Sequence, residues 1–471
     1  MNKTIQDRID RIINNLRPQT AFSVKSAAPK MLSDRMKHYH SPGVSIAVIN
    51  DFQIEWVQGF GICDLQSQQP VTVDTMFQSG SISKAIFALG VMRLVQEGHL
   101  NLDENINRYL TTWQIPATEN WQPRITLRQI LSHTAGLTTD GFSGYLTSES
   151  IPTMPQILNG EPPANSEQVR VNIFPGMQFR YSGGGTTVAQ QAVIDLLDKP
   201  FPQIMRELVL DRLNLTNSTY EQPLSPLWLE QAATGHPWKG IPIAGGSHIH
   251  PEMAAAGLWT TPTDLAKVGI ELMQILSDRS TRNFLTKNTL TSILTPQLDS
   301  QKIGDEFAGI GFFCDGCEDS FQFGHAGSNE GFTALMRFYP NVGKGVVMMV
   351  NSNEGLPLIF SEILQAIAIE YEWADAIPKD RTIISLENID LYVGVYLSLT
   401  GAEFGIITDG DRLLFQHGQQ PPLPIYPSSA TEFFSQAIDL IIIFEMEDRL
   451  RITSMSISQA GQTIEADRQR N

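Results

Sequence analysis

Ser81-Ile82-Ser83-Lys84 sets a hydroxyl and an ammonium three residues apart. On a helix, residues i and i+3 share a face, so the Lys84 side chain can hydrogen-bond the Ser81 hydroxyl. That pairing suits nucleophilic attack on a carbonyl. A serine accepts an acyl group when a neighbouring amine takes its proton, and an amine does so when burial or a second cation lowers its pKa. A serine in the first helical turn also meets the positive end of the helix dipole, which favours negative charge developing on its oxygen. Two further stretches carry fitting groups. Tyr181-Ser182-Gly183, after Pro175-Gly176-Met177-Gln178-Phe179-Arg180, offers a phenol that can relay a proton from Ser81 to a leaving group. Gly324-His325-Ala326-Gly327-Ser328 reads as a strand whose glycine lets the backbone approach a substrate closely. The backbone N–H groups of Ser81 and Ser328 could then form an oxyanion hole.

Each residue also has a plainer reading. Ser81 would be an N-cap followed by a solvated lysine, Tyr181 a core tyrosine, and His325 a strand histidine bonded to its own neighbourhood. The three motifs together favour chemistry. His248-x-His250-x-Glu252 has metal-ligand spacing, but it lies in a Gly-rich loop with no third histidine in register. It reads as a loop, and no metal or organic cofactor is expected. Cys314-Asp315-Gly316-Cys317 reads as a hairpin turn through Asp315-Gly316, not as a redox or zinc motif. Gly141-Phe142-Ser143-Gly144 falls one residue short of a nucleophile elbow, which argues against an α/β-hydrolase.

These groups need elements to hold them. Apolar Ile86, Phe87, Leu89, Met92, Leu94 and Val95 predict a helix that starts at Ser81 and ends near Gly98. Residues 43–49 and 54–57 predict two strands turning at Asn50-Asp51. The stretch 103–215 reads as mostly helical with Pro-containing loops. A helix is expected over 265–276, after Thr261-Pro262-Thr263-Asp264. Hairpins are expected at 310–313 with 321–323 and at 332–338 with 346–350, followed by a helix over 356–371. Strands early and late around a helical insertion make residues 1–375 one mixed α/β domain. Residues 376–386 read as a linker. Residues 387–471 carry short β-rich runs at regular spacing, as in a small sandwich or barrel.

At 471 residues the chain exceeds what one core organises. Lys+Arg 33 against Asp+Glu 50 gives a net charge of -17 with no basic tract, which excludes nucleic acid as a partner. The first residues form an amphipathic pattern (Ile5, Ile9, Ile12, Ile13, Leu16) without the apolar run of a signal peptide. The apolar run Leu440–Phe444 suits a buried strand, not a membrane span. The expectation is a soluble, cytoplasmic protein acting on a small-molecule or short-peptide substrate, and a homo-oligomer is compatible with it.

Over residues 30–370 the chain resembles the serine β-lactamase and penicillin-binding-protein family, in its class C-like, esterase and D-peptidase branch. The resemblance rests on Ser81-x-x-Lys84, Tyr181-x-Gly183 and His325-x-Gly327 in the family's order and spacing. Residues 125–137 and 254–262 support it. It implies a β-lactamase/transpeptidase-like fold: a five-stranded antiparallel sheet flanked by helices, an all-helical region, and a Ser81 acyl-enzyme. It also implies that His133 is a structural residue at a helix start. Two positions depart from the pattern. The tyrosine motif usually ends in an asparagine that contacts the substrate's acyl-side amide, and here it ends in Gly183. The third motif often begins with a lysine that helps bind a carboxylate, and here it begins with His325. Both changes point away from β-lactams and D-Ala-D-Ala peptides, toward an esterase, amidase or D-amino-acid peptidase. An acyltransferase or peptide cyclase, a β-lactamase or D-Ala-D-Ala carboxypeptidase, and a catalytically inactive binding protein are the alternatives. The C-terminal segment resembles the lipocalin-like β-barrel appended to some members.

Overall fold

Strand β1 (Gly43–Asn50) is buried along its whole length except at its last residue, as its continuous GVSIAVI run requires of a central strand. It turns into β2 (Gln53–Asp64) through Asp51 and Phe52, which take φ of 49° and 58°. Two successive left-handed residues match the twist of a tight hairpin, and they place the turn one residue later than expected. A short β3 (Gln69–Pro70) follows. Next come β4 (Phe77–Gln78) and its partner β5 (Trp259–Thr260), which pair across a long stretch of chain. The later strands are β6 (Phe307–Ala308), β7 (Phe313–Asp315), β8 (Gln322–Asn329), β9 (Phe332–Tyr339) and β10 (Lys344–Val350). In space the sheet runs β3-β2-β1-β10-β9-β8-β7-β6 and is antiparallel throughout. The long strands β2-β1-β10-β9-β8 are the expected five-stranded sheet, and three short strands extend it at its edges. β7 joins β8 through a longer loop with a 3₁₀ turn at Glu318–Ser320, not through a two-residue Asp315-Gly316 turn. Cys314 is buried, Cys317 is exposed, and neither forms a disulfide.

The computed structural model describes residues 3–17, 29–298, 306–356, 358–373, 383–386, 388–398, 401–410, 412–418, 422–435, 440–447, 451–459 and 462–469. They fall into two compact units. One comprises Ser33–Gln301 and Phe307–Phe360, and the other Met1–Leu32, Lys302–Glu306 and Ser361–Asn471. Most of the expected linker at 376–386 lies outside the described residues.

In the first unit two helices are buried on nearly every face: Ile82–Gln96 and Gly183–Leu197. The stretch 103–215 is less helical than its pattern suggests. Apart from Gly183–Leu197 its helices are short, and its prolines stand in long irregular connections. The helix Pro262–Leu276 starts where expected, with the Thr261 hydroxyl accepting from the Asp264 N–H. It packs against the sheet so closely that a Cβ on Gly269 would lie 2.1 Å from the Phe338 ring. Among the described residues, no helix is long and apolar enough to cross a membrane.

The second unit holds a closed antiparallel barrel of eight strands, each paired with its neighbour in sequence. They are β11 (Gly394–Ser398), β12 (Glu403–Asp409), β13 (Arg412–His417), β14 (Leu423–Pro427), β15 (Glu432–Ser435), β16 (Ile441–Glu447), β17 (Arg451–Gln459) and β18 (Gln462–Arg468), with β18 closing on β11. Tyr396, Phe404, Phe433, Ile442 and Phe444 fill its interior. Within Leu440–Phe444, Leu440, Ile442 and Phe444 are buried while Ile443 is exposed. The run is therefore one-sided, as barrel strands are, and not buried on both faces. In the same unit the amphipathic helix Lys3–Ile13 buries Ile9 and Ile12 and packs on the helix Leu364–Tyr371. Arg11 and Arg8 bind the Glu370 carboxylate at 2.6 and 3.3 Å.

Gly269→Ala sets helix propensity against packing. Alanine gains ~1 kcal/mol in a helix interior, but overpacking a rigid ring costs ~1–3 kcal/mol. Urea denaturation should show a net loss of stability at Gly269. The same change at Gly90 should be neutral or stabilising, since its Cβ would meet only Val209 and Met205 side-chain atoms at 3.3 and 3.4 Å.

Candidate active site

The segment entering the Ile82–Gln96 helix is fixed before Ser81 is reached. β4 pairs with β5, the Ser79 N–H donates to the Leu258 carbonyl at 3.0 Å, and Gly80 turns through a φ of 52°. Ser81 sits at the N-cap position, yet its side chain caps nothing. The Ser83 hydroxyl ties the helix to its surroundings, donating to the Gly80 carbonyl at 2.6 Å and accepting from the Leu258 N–H at 3.0 Å. The Ser81 Oγ is left to accept from Lys84 Nζ at 3.0 Å. Lys84 is 4% exposed, and its ammonium also donates to the Ala255 carbonyl at 2.8 Å. Both partners are neutral, and the ammonium lies 5.0 Å from the centre of the Tyr181 ring.

Strand β8 comes against this turn with no side chain between. A Cβ on Gly327 would stand 1.9 Å from the Ser79 carbonyl oxygen and 3.0 Å from the Ser81 nitrogen. A Cβ on Gly80 would stand 2.5 Å from the Ser328 nitrogen. Glycine at both positions lets the backbone at Ser81 and the backbone at Ser328 come this close. The Ser328 hydroxyl points elsewhere, donating to the Phe332 carbonyl and accepting from Asn353.

Tyr181 precedes the Gly183–Leu197 helix, whose N-cap Ser182 accepts from the Gly185 N–H at 2.8 Å and donates to the Thr138 carbonyl at 2.8 Å. Its ring packs beside Phe313 at 6.5 Å and His133 at 4.3 Å. Among the described residues, no hydrogen bond joins its hydroxyl to Ser81 or Lys84. Bonds used in catalysis often form only when substrate closes the site.

His133 is the residue that sequence reading undervalued. It stands past the end of the short helix Leu127–Leu131, not at a helix start, and takes a φ of 58°. From there its carbonyl accepts from the Arg180 N–H at 2.7 Å and its Nδ1 accepts from the Ser182 N–H at 3.1 Å. The two bonds grip the chain on either side of Tyr181. Nothing local in the sequence marks this role, since the grip spans a large sequence separation.

His325 is buried against Phe313, with Nδ1 bonded to the Ala326 carbonyl. That bond puts the proton on Nδ1 and leaves Nε2 as a buried acceptor. Burial, and next the Lys84 charge, push its pKa down to about 4 against the opposing Ala326 bond. Burial, then His248 and Lys84, push His250 down to about 3. Burial and then Lys84 hold His133 well below the ordinary histidine range. His250 and Glu252 keep their side-chain atoms unpartnered in the interior, and burial raises Glu252 to about 7. Among the described residues, no cluster gathers three potential metal ligands. Gly183 donates its N–H to the Asp140 carbonyl at 3.0 Å and carries no side chain toward the site.

The family model described as Beta-lactamase matches residues 29–365. Protein flp of Staphylococcus aureus (strain N315) is 21% identical over 335 residues, 69% of this chain and 62% of that protein. The match thus spans less than two thirds of that relative. Penicillin-binding protein 4* of Bacillus subtilis (strain 168) is 20% identical over 404 residues, 82% of this chain and 86% of that protein. The octameric penicillin-binding protein homologue from Pyrococcus abyssi superposes with a TM-score of 0.61 at 19% identity, covering 92% of this chain and 98% of that one. SurE, solved with D-Leu, gives a TM-score of 0.56 at 19% identity, covering 93% and 97%. At these identities the solved structures share the fold.

The buried titratable groups set a pH dependence. The three histidines have folded pKa values below the free value of 6.5, so their stability is present above 6.5 and lost as pH falls toward 4. Glu252, raised from 4.5 to about 7, acts oppositely: its stability is present below 4.5 and lost as pH rises through 7. Three protons outweigh one, so urea midpoints should rise from pH 5 to 7. Glu252→Gln should steepen that rise, by up to about 1.4 kcal/mol per pH unit.

Proposed function

The chain belongs to the beta-lactamase family, and from that premise we propose that it is a serine hydrolase working through a Ser81 acyl-enzyme on an ester, amide or D-amino-acid peptide. The observation that carries the reading is the buried Lys84 ammonium 3.0 Å from a Ser81 hydroxyl that has been freed from capping. Ser81 Oγ attacks the substrate carbonyl and gives its one proton to Tyr181, which receives it as phenolate, while the Lys84 ammonium beside the Ser81 hydroxyl and the Tyr181 ring stabilises the negative charge on both oxygens. The tetrahedral oxyanion takes hydrogen bonds from the Ser81 and Ser328 amides, which Gly80 and Gly327 let approach each other. The leaving group collects the proton, and water then attacks the acyl-enzyme with the same groups in reversed roles. A neutral His325 gives no cation for a substrate carboxylate, and Gly183 gives no amide. Both fit uncharged esters and amides better than β-lactams. The relative solved with D-Leu is consistent with D-amino-acid substrates. Residues 1–375 would carry the chemistry and 387–471 an accessory lipocalin-like barrel. The octameric homologue supports a homo-oligomeric assembly.

Incubation with a fluorophosphonate probe should give one adduct, mapped by mass spectrometry to Ser81. Ser81→Ala should lose both the adduct and turnover of p-nitrophenyl esters, and unchanged turnover would sink the mechanism. Tyr181→Phe should lower the rate by roughly 10²–10⁴. A competing amine in the same assay, with product analysis, separates hydrolysis from acyl transfer.

His133→Phe keeps an apolar ring but removes the acceptor for the Ser182 N–H. Displacing Tyr181 slightly should cost about 10²-fold in kcat with little change in KM, since positioning, not substrate contact, is lost. An equal rise in KM would instead mean that His133 touches substrate.

A further inference from the structure

The empty place at Gly183 is filled by another part of the chain. A Cβ there would point at the Asp140 carbonyl oxygen, 3.0 Å away, and at Phe142 Cε2, 3.2 Å away. In the motif pattern this is where an asparagine reads the substrate's acyl-side amide. Here an edge of the Phe142 ring lies on that line, so a larger residue at 183 would require the loop to move.

The loop is built to stay. On one side the Ser182 hydroxyl donates to the Thr138 carbonyl at 2.8 Å, the Gly184 N–H to Thr139 at 2.9 Å and the Gly183 N–H to Asp140 at 3.0 Å. On the other side His248 Nδ1 bonds the Ser143 carbonyl at 2.7 Å, and Tyr145 and Ile249 exchange backbone bonds at 2.9 and 2.7 Å. The His248 carbonyl in turn accepts from Gln78, three residues before Ser81, at 2.6 Å. Phe142 is therefore tied to the segment that carries Tyr181 and to the one that carries Ser81. It is half-buried between exposed Gly141 and Ser143. The Phe313 ring stacks beside Tyr181 and meets the His325 ring at a tilt.

We infer that Phe142 is the acyl-side specificity residue: its ring replaces the polar group of residue 183 with an apolar wall, so the substrates are acyl donors bearing an aryl or branched aliphatic group where others present an acylamino group. This rests on the reading of Ser81 as acyl acceptor. Apolar contact of this size discriminates by roughly 10–200-fold in kcat/KM.

Two p-nitrophenyl esters share a leaving group and differ only in the acyl part: phenylacetate and acetamidoacetate. Wild-type protein should prefer phenylacetate about tenfold or more in kcat/KM. Phe142→Ala should cut that ratio about tenfold, and Phe142→Leu should retain most of it. Phe142→Ala with Gly183→Asn, where the loop has room, should reverse it. Melting curves check that each variant is folded, and Phe142→Ser replaces the alanine variant if that one is not. Fluorophosphonate labelling of wild-type Ser81 tests the underlying reading separately: absent labelling defeats the hydrolase. A labelled wild type that shows no phenylacetate preference or turns over neither ester, or a ratio insensitive to residue 142, overturns the role of Phe142.

Discussion

The site depends on how closely strand β8 approaches the turn that leads into the Ser81 helix. Backbone meets backbone there, with Gly327 and Gly80 leaving no room for even a methyl group. That approach does two jobs. It packs the helix against the sheet, and it sets the backbone around Ser81 beside the backbone around Ser328, two distant parts of the chain. The pairings that secure it lie in the segment leading directly into Ser81: β4 with β5, and Ser79 with Leu258.

The second constraint is electrostatic. Removing an ammonium from water costs several kcal/mol, so Lys84 needs compensation where it stands. Two neutral oxygens and the face of the Tyr181 ring supply it. The Lys84 charge then acts on its surroundings. His133, His250 and His325 lie within its influence and are held neutral by burial and by that charge together. A neutral His133 can accept the Ser182 N–H, which a protonated ring could not. The cation that bonds the Ser81 hydroxyl thus also helps keep His133 in the neutral form that holds the chain beside Tyr181.

Much of this was readable in the residue order. The S-x-x-K helix, the tyrosine motif, the glycine strand and the barrel all carry local signatures: an i, i+3 pair, a Pro-Gly turn, a Gly between apolar neighbours, alternating short runs. The misreadings share one cause. In 103–215 a helical pattern yielded mostly loops, because burial against other elements, and not helical propensity, satisfies those apolar residues. The role of His133 is not legible in the sequence because its two bonds reach residues 180 and 182, which sequence spacing does not connect. The Asp315-Gly316 turn opened into a 3₁₀ loop because the strand register sets where pairing resumes, at Asp315 with Gln322.

What the sequence by itself determined is the inventory: a serine and a lysine on one helix face, a tyrosine, a glycine-containing strand, and a missing side chain at 183. Periodicity and local geometry are properties of neighbouring residues, so they survive in one dimension. What only the tertiary structure decided is which groups meet. The bond of the Leu258 N–H to the Ser83 hydroxyl, the grip of His133 on the chain around Tyr181 and the seating of Phe142 beside Gly183 are contacts between distant segments. They exist because packing and hydrogen bonding close those gaps together, and no spacing rule records them.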